Sequence, residues 1–199
     1  MAKIGLTNFR FGKLLTETGT GTQPTYGTVR TPGKAISCSV DISNNDASLY
    51  ADDAVIETDT SFQSGTVTIG IDDDDIQTMG ILLGHTVTTS GTSPSITYTL
   101  VRNKDDEAPY VGLGRVITKM VNNVKMYKVE FLYKVKFSDP KAENNTRGES
   151  TEFGTYEIEG KISTLADGRW STAQVFSTKA AALTYLEGFF GTDPTNAGE

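Results

Sequence analysis

Ile36, Cys38, Val40 and Ile42 stand on one parity of the chain, and Ser37, Ser39, Asp41 and Ser43 stand on the other. A period of two belongs to a strand with one buried and one wet face, and a helix cannot gather such a pattern onto one side. The pattern recurs. Val67, Ile69 and Ile71 alternate with Thr66, Thr68 and Gly70, and Ile96, Tyr98 and Leu100 align within residues 95–101. Residues 110–137 read as two long strands parted by Asn122-Asn123, a pair that suits a tight hairpin turn. In the second of them, Tyr127, Val129, Phe131, Tyr133, Val135 and Phe137 oppose Lys128, Glu130, Lys134 and Lys136. Tyr156, Ile158 and Ile162 then alternate with Glu157, Glu159 and Lys161, and a strand over 170–176 follows the turn Ala166-Asp167-Gly168-Arg169. The 29 threonines suit such half-exposed pleated positions. Seven or so antiparallel strands of this kind predict a mainly β chain, a β-sandwich or partly closed barrel.

Two segments change period. Ile76, Met79, Leu82 and Leu83 are spaced for one helical stripe, preceded by Asp72-Asp73-Asp74-Asp75 and followed by Gly84. The acids suit a helix start, where free N–H groups and the positive end of the dipole favour carboxylates. A calcium loop counted from Asp72 would need Gly and Glu where the chain has Gln77 and Leu83. Near the end, Thr178 suits an N-cap for a helix carrying Leu183, Leu186 and Phe190. The fold expected is therefore antiparallel strands with one flanking helix and a C-terminal helix. Residues 1–34, rich in Gly and Thr, are expected as an N-terminal arm or long loop, residues 35–190 as one domain, and 191–199 as a flexible tail. A polar loop is expected over 138–150.

The composition removes whole classes of chemistry. A single His excludes multi-histidine zinc sites and the HExxH helix. His85, in Leu83-Gly84-His85-Thr86, reads as a surface residue at a helix C-terminus. Cys38, in phase with Ile36 and Val40, reads as a small core residue, and a lone cysteine suits a reducing cytosol. No nucleophile elbow, Walker loop or helix-opening GxGxxG is present, and Gly112-Leu113-Gly114 inside a strand signals close backbone packing or a bulge. Tyr50-Ala51-Asp52-Asp53 spells the metal-binding sequence of reverse transcriptases. That chemistry also needs a third carboxylate and a basic channel, and residues 35–101 contain no Lys or Arg. The expectation is a non-enzymatic protein with no catalytic residue, cofactor or metal. No apolar run approaches the ~20 residues of a membrane span, and Met1-Ala2-Lys3-Ile4-Gly5 lacks a signal core.

Charge is unevenly placed. Residues 35–101 hold ten acids and no base, whereas 102–141 hold nine bases and five acids. This is either ordinary solvated surface or the opposed faces of a self-associating subunit. A net charge of −7 disfavours a grip on nucleic-acid phosphates.

An ordered set of segments resembles a known family. The set begins with Ser43-Asn44-Asn45-Asp46-Ala47-Ser48-Leu49-Tyr50-Ala51-Asp52-Asp53, Asp59-Thr60-Ser61-Phe62-Gln63-Ser64-Gly65-Thr66 and Ala108-Pro109-Tyr110-Val111-Gly112. It continues with Val129-Glu130-Phe131-Leu132-Tyr133-Lys134-Val135, Ser163-Thr164-Leu165-Ala166-Asp167-Gly168-Arg169-Trp170 and Leu183-Thr184-Tyr185-Leu186-Glu187-Gly188. Together they resemble the major tail proteins, or tail-tube subunits, of long-tailed non-contractile bacteriophages. The likeness runs from about Lys3 to Phe190 and is thinnest over 86–94 and 139–147. It implies the phage tail-tube fold, hexameric rings stacked into a tube, and inner strands joined in one barrel that conducts the genome. It implies as partners the chain itself, a tape-measure protein, and tail terminator or tail-tip proteins. DNA would pass through without specific binding, and the place would be the virion tail, assembled in the bacterial host cytoplasm.

Given that resemblance, the small, neutral or acidic face of Ser37, Ser39, Asp41, Ser43, Ser64, Thr66 and Thr68 is expected to line the lumen. Lys128, Lys134 and Lys136 are expected elsewhere, on a subunit interface or outer surface. The alternative is a β-sandwich adhesion or carbohydrate-binding module, which would need exposed aromatics; apart from Trp170, the aromatics here fall mostly on apolar strand faces.

Overall fold

The computed structural model describes residues 2–17, 19, 22–51, 54–73, 75–140 and 156–191. Its elements are β1 (Ala2–Thr16), β2 (Thr25–Thr28), β3 (Ala35–Asn44), β4 (Ala47–Ala51), β5 (Ala54–Asp59), β6 (Phe62–Ile71) and α1 (Ile76–Leu83). There follow β7 (Thr86–Ser90), β8 (Thr97–Val101), β9 (Tyr110–Val121), β10 (Val124–Phe137), β11 (Tyr156–Ile162), β12 (Ser171–Phe176), α2 (Lys179–Glu187) and β13 (Phe190–Gly191). The main sheet runs β13-β2-β1-β9-β10-β11-β6-β3, and β12 also pairs with β10. All its pairings are antiparallel except β13 with β2. Along one edge of β10, β12 takes residues 127–132 and β11 takes 135–137, so the two lie end to end. The sheet folds over until β1 nears β3, yet the two do not pair, and the sheet stays open. The result is a mainly β, open sandwich with flanking helices.

The N-terminal segment departs from expectation. Residues 2–16 are not an arm but a central strand paired along β9, with Phe9 and Phe11 fully buried. Two register irregularities, at Lys3/Gly5 and Thr7/Arg10, and a positive φ of 55° at Asn8 disturb its alternation. A bulge adds a residue on one strand and inverts the parity beyond it, so the core residues do not follow a period of two. Most of the loop expected over 138–150, and the tail beyond Gly191, lie outside the described residues. Gly191 itself still pairs with Thr28.

Strand β10 shows the same effect. A register shift between Leu132 and Val135 splits its expected single apolar face in two. Phe131 and Tyr133 join Tyr26, Val116, Val129 and Leu186 beneath α2. Val135 and Phe137 instead join Phe9, Phe11, Val67, Ile69 and Ile158 on the opposite side, which α1 closes with Met79, Leu82 and Leu83. One sheet thus separates two cores. At about 1.5–3 kcal/mol for each large apolar side chain buried, both faces are needed to hold it.

Helix α1 begins and ends as its sequence dictates. The Asp75 side chain accepts from the Thr78 N–H, and Gly84 closes the helix at φ 78°. Thr178 caps α2 by accepting from the Ala181 N–H. That helix stops at Glu187, so Phe190, expected within it, instead packs from β13 against Tyr26. Two hairpins stand outside the main sheet. β4–β5 extends the β3–β6 hairpin past a break at Asn45 and Ser61, whose backbones bond at 2.8 Å. β7–β8 packs on α1.

Candidate functional site

Residues directly paired across neighbouring strands share a face. Asp41 pairs with Thr66, Thr66 with Lys161, and Lys161 with Lys136, which makes one row across four strands. The next rows run Ser39–Thr68–Glu159 and Ser37–Gly70–Glu157, with Ser43 opposite Ser64. All seven residues expected together are thus on one side of β3 and β6. The other side carries Val40, Val67 and Ile69 into the core. Ser37, Ser39, Asp41, Ser43 and Ser64 are exposed, and Thr66 and Thr68 are half-buried. Ser39 Oγ donates to Asp41 Oδ2 at 3.1 Å, so the hydroxyls and the carboxylate form one hydrated polar surface.

Two of the three lysines do not fall where expected. Lys134 and Lys136 share the face of Asp41 and Thr66, because the β10 bulge turns them over relative to Lys128. Both are neutralised. Lys134 Nζ donates to Glu17 Oε2 at 2.7 Å and Lys136 Nζ to Glu107 Oε1 at 2.6 Å, with the Tyr110 ring 4.8 and 5.4 Å from the two ammoniums. The contact with Lys136 holds the Glu107 carboxyl below its ordinary range, and Glu107 raises Lys136 in return. Lys128 is on the opposite face, off the polar one, and is paired with Glu130 in a half-buried cluster. Arg115 bonds the same carboxylate and donates to Cys38 Sγ. Burial works against the Glu130 charge, but Lys128 and Arg115 outweigh it and its pKa is lowered. Burial raises the Cys38 thiol, the behaviour of an inert core cysteine.

On β11 the same polar face adds Glu157, Glu159 and Lys161, which sequence parity alone could not join to β3. The β3–β6–β11 portion of the face therefore carries three carboxylates against one ammonium. The sheet ends at β3, and no strand among the described residues pairs with its outer edge. Between the irregularities at its ends, that edge is regular from Ser37 to Ser43 and holds neither Lys nor Pro. Natural edges of this length are usually blocked by such residues, or covered.

His85 is not a surface residue. Its side chain is 5 % exposed, with Nδ1 at 2.9 Å from Asp106 Oδ2 and Nε2 at 2.9 Å from Asp139 Oδ1. Asp52 and Asp53 of the reverse-transcriptase-like sequence lie outside the described residues. Among the described residues, no group of three or more His, Cys, Asp or Glu is placed to hold a metal ion, and no helix is long and apolar enough to cross a membrane. No protein-family model matches the chain, and no curated protein matches it.

Proposed function

We propose that the chain is a non-enzymatic structural subunit that assembles through its sheet edges into stacked rings, a tail-tube protein of the long-tailed phage type. The observation that carries this reading is the open β3 edge, whose adjoining face is small, hydroxylated and net acidic. An unprotected edge of this kind is an aggregation hazard in a monomer and an asset in a closed ring, where a neighbour saturates it. The polar face of Ser37, Ser39, Asp41, Ser43, Ser64, Thr66 and Thr68 then lines the conduit. There it keeps the wall hydrated and repels phosphate weakly. Lys134 and Lys136 are compatible with that role because each is bound to a glutamate. The ordered resemblance to tail-tube proteins supports the same assignment, with the tape-measure and tail-end proteins as partners and the virion tail as the place. An adhesion module is less well supported, since Trp170 is stacked on Phe62 at 4.9 Å. Concentrated protein, viewed by negative-stain electron microscopy, is expected to show rings or tubes. A strictly monomeric species at every concentration and salt tested would reject the reading.

A further inference from the structure

His85 ties together three parts of the chain that are distant in sequence. It follows Gly84 at the end of α1, Asp106 sits in the 102–109 loop, and Asp139 lies just beyond the end of β10. Each ring nitrogen faces a carboxylate oxygen at hydrogen-bond distance. An ionised carboxylate only accepts, so both contacts are hydrogen bonds at once only when both nitrogens carry a proton and the ring is an imidazolium. The charged groups facing it are Asp106 from the loop and Asp139 from the β10 exit. Arg102 Nε stands 3.8 Å from the same Asp139 oxygen.

The two carboxylates are not equally secured. Asp106 Oδ2 also accepts from the Asn103 N–H at 2.8 Å, and its side chain is 14 % exposed. Asp139 has a side chain 57 % exposed, and Arg102 stands farther from it than the ring does, at 3.8 Å. A neutral ring keeps one proton. Left on Nδ1, that proton preserves the better-supported bond to Asp106, and the bare Nε2 lone pair then opposes the Asp139 carboxylate.

We propose that His85 is a proton-operated clamp, which when doubly protonated fastens the exit of β10 to the end of α1 and when neutral lets Asp139 go. Burial works against the charged ring, but the bonds and charges of Asp139 and Asp106 outweigh it, so its pKa stands above the ordinary histidine value. The sign follows from that direction. The clamp is fully engaged below the unfolded-state value of about 6.5 and is lost as pH rises through the higher folded value. This inference concerns the isolated fold and stands apart from the assembly reading.

The test is an NMR titration of the full chain from pH 5 to 10, following the His85 ring and the backbone amides of Ser138 and Asp139. The expected result is one shared transition, with its midpoint above 6.5. Asp139→Asn should lower that midpoint, and His85→Gln should abolish the step at Ser138 and Asp139. A ring midpoint at or below the ordinary value would overturn the clamp. So would amides of 138–139 that do not move with the ring. Both readings come from the unmodified chain, so a variant that failed to fold would not remove the test.

Discussion

Gly114 lets Leu186 of α2 lie directly against the sheet. A Cβ built there would stand 2.1 Å from Leu186 Cδ1 and 3.0 Å from Phe131 Cδ2, and both of these side chains are fully buried. The close packing expected of Gly112-Leu113-Gly114 is therefore real: Gly114 makes room for Leu186 of the C-terminal helix, and Gly112 for the rings of Phe131 and Tyr26. Gly114→Ala should destabilise the protein by about 1–3 kcal/mol, the usual cost of overpacking a full core. A lowered urea midpoint with unchanged slope would show it; an unchanged midpoint would mean that α2 is free to shift. Asp75 gives a second test at this scale. Its carboxylate accepts from the Thr78 hydroxyl at 2.7 Å and the Thr78 N–H at 3.0 Å, and the hydroxyl bond contributes most to holding its pKa below the ordinary value. A depressed carboxylate stabilises above its unfolded pKa and loses that contribution as pH falls through the folded one. Asp75→Ala should cost about 1 kcal/mol at pH 7. The difference between variant and parent should shrink in acid, as thermal melts at pH 7 and pH 3 can measure.

Hairpins set the registers of this sheet, and the β9–β10 turn is the sharpest of them. Asn122 and Asn123 have φ of 49° and 63°, the double left-handed geometry that Asn tolerates and most residues do not. Asn123→Gly should be neutral or stabilising, because it removes the Cβ that burdens the left-handed region, whereas Asn123→Ala should cost up to about 1 kcal/mol, because Ala keeps the Cβ and loses the side-chain amide that lets Asn tolerate it. Equal stability of the two variants, measured by chemical denaturation, would show that the turn can re-form with another geometry. This hairpin was legible in the sequence because its signals are local: an Asn pair between two alternating runs. The β6 faces and the polar face of β3 were legible for the same reason, as was the Asp75 cap, but Ile36 and Ile42, expected in the core, are exposed near the ends of β3. Strand β1 was not, because its bulges put Leu6, Phe9 and Phe11 out of period and left only the surrounding Gly and Thr to read. The inversion of Lys134 and Lys136 was hidden in the same way, since only the partner strand reveals an extra residue in β10. His85 was misread because its partners are 21 and 54 residues away. No local spacing records such contacts.

For the whole molecule, the row Asp41–Thr66–Lys161–Lys136 decides how the conduit reading can be tested. Placing Lys at position 66 would set it directly opposite Lys161, and like charges in that position destabilise a strand pair. Such a variant would confuse loss of fold with loss of function. Asp41 is the better position, because it is exposed on the terminal strand and its row neighbour Thr66 is neutral. Asp41→Lys should therefore change stability by less than about 0.5 kcal/mol, as surface substitutions generally do. If the face lines a channel, the same change repeats around every ring and replaces weak repulsion of phosphate with attraction. Assembled variant tubes should then retain DNA at low salt. Each added phosphate contact should contribute roughly 0.7–0.9 to the slope of log affinity against log salt. Particles carrying the variant should also eject their genome more slowly than the parent. Normal ejection, together with tubes that retain no DNA at low salt, would place Asp41 outside the channel. The lumen assignment would then be wrong, even if rings and tubes form as proposed.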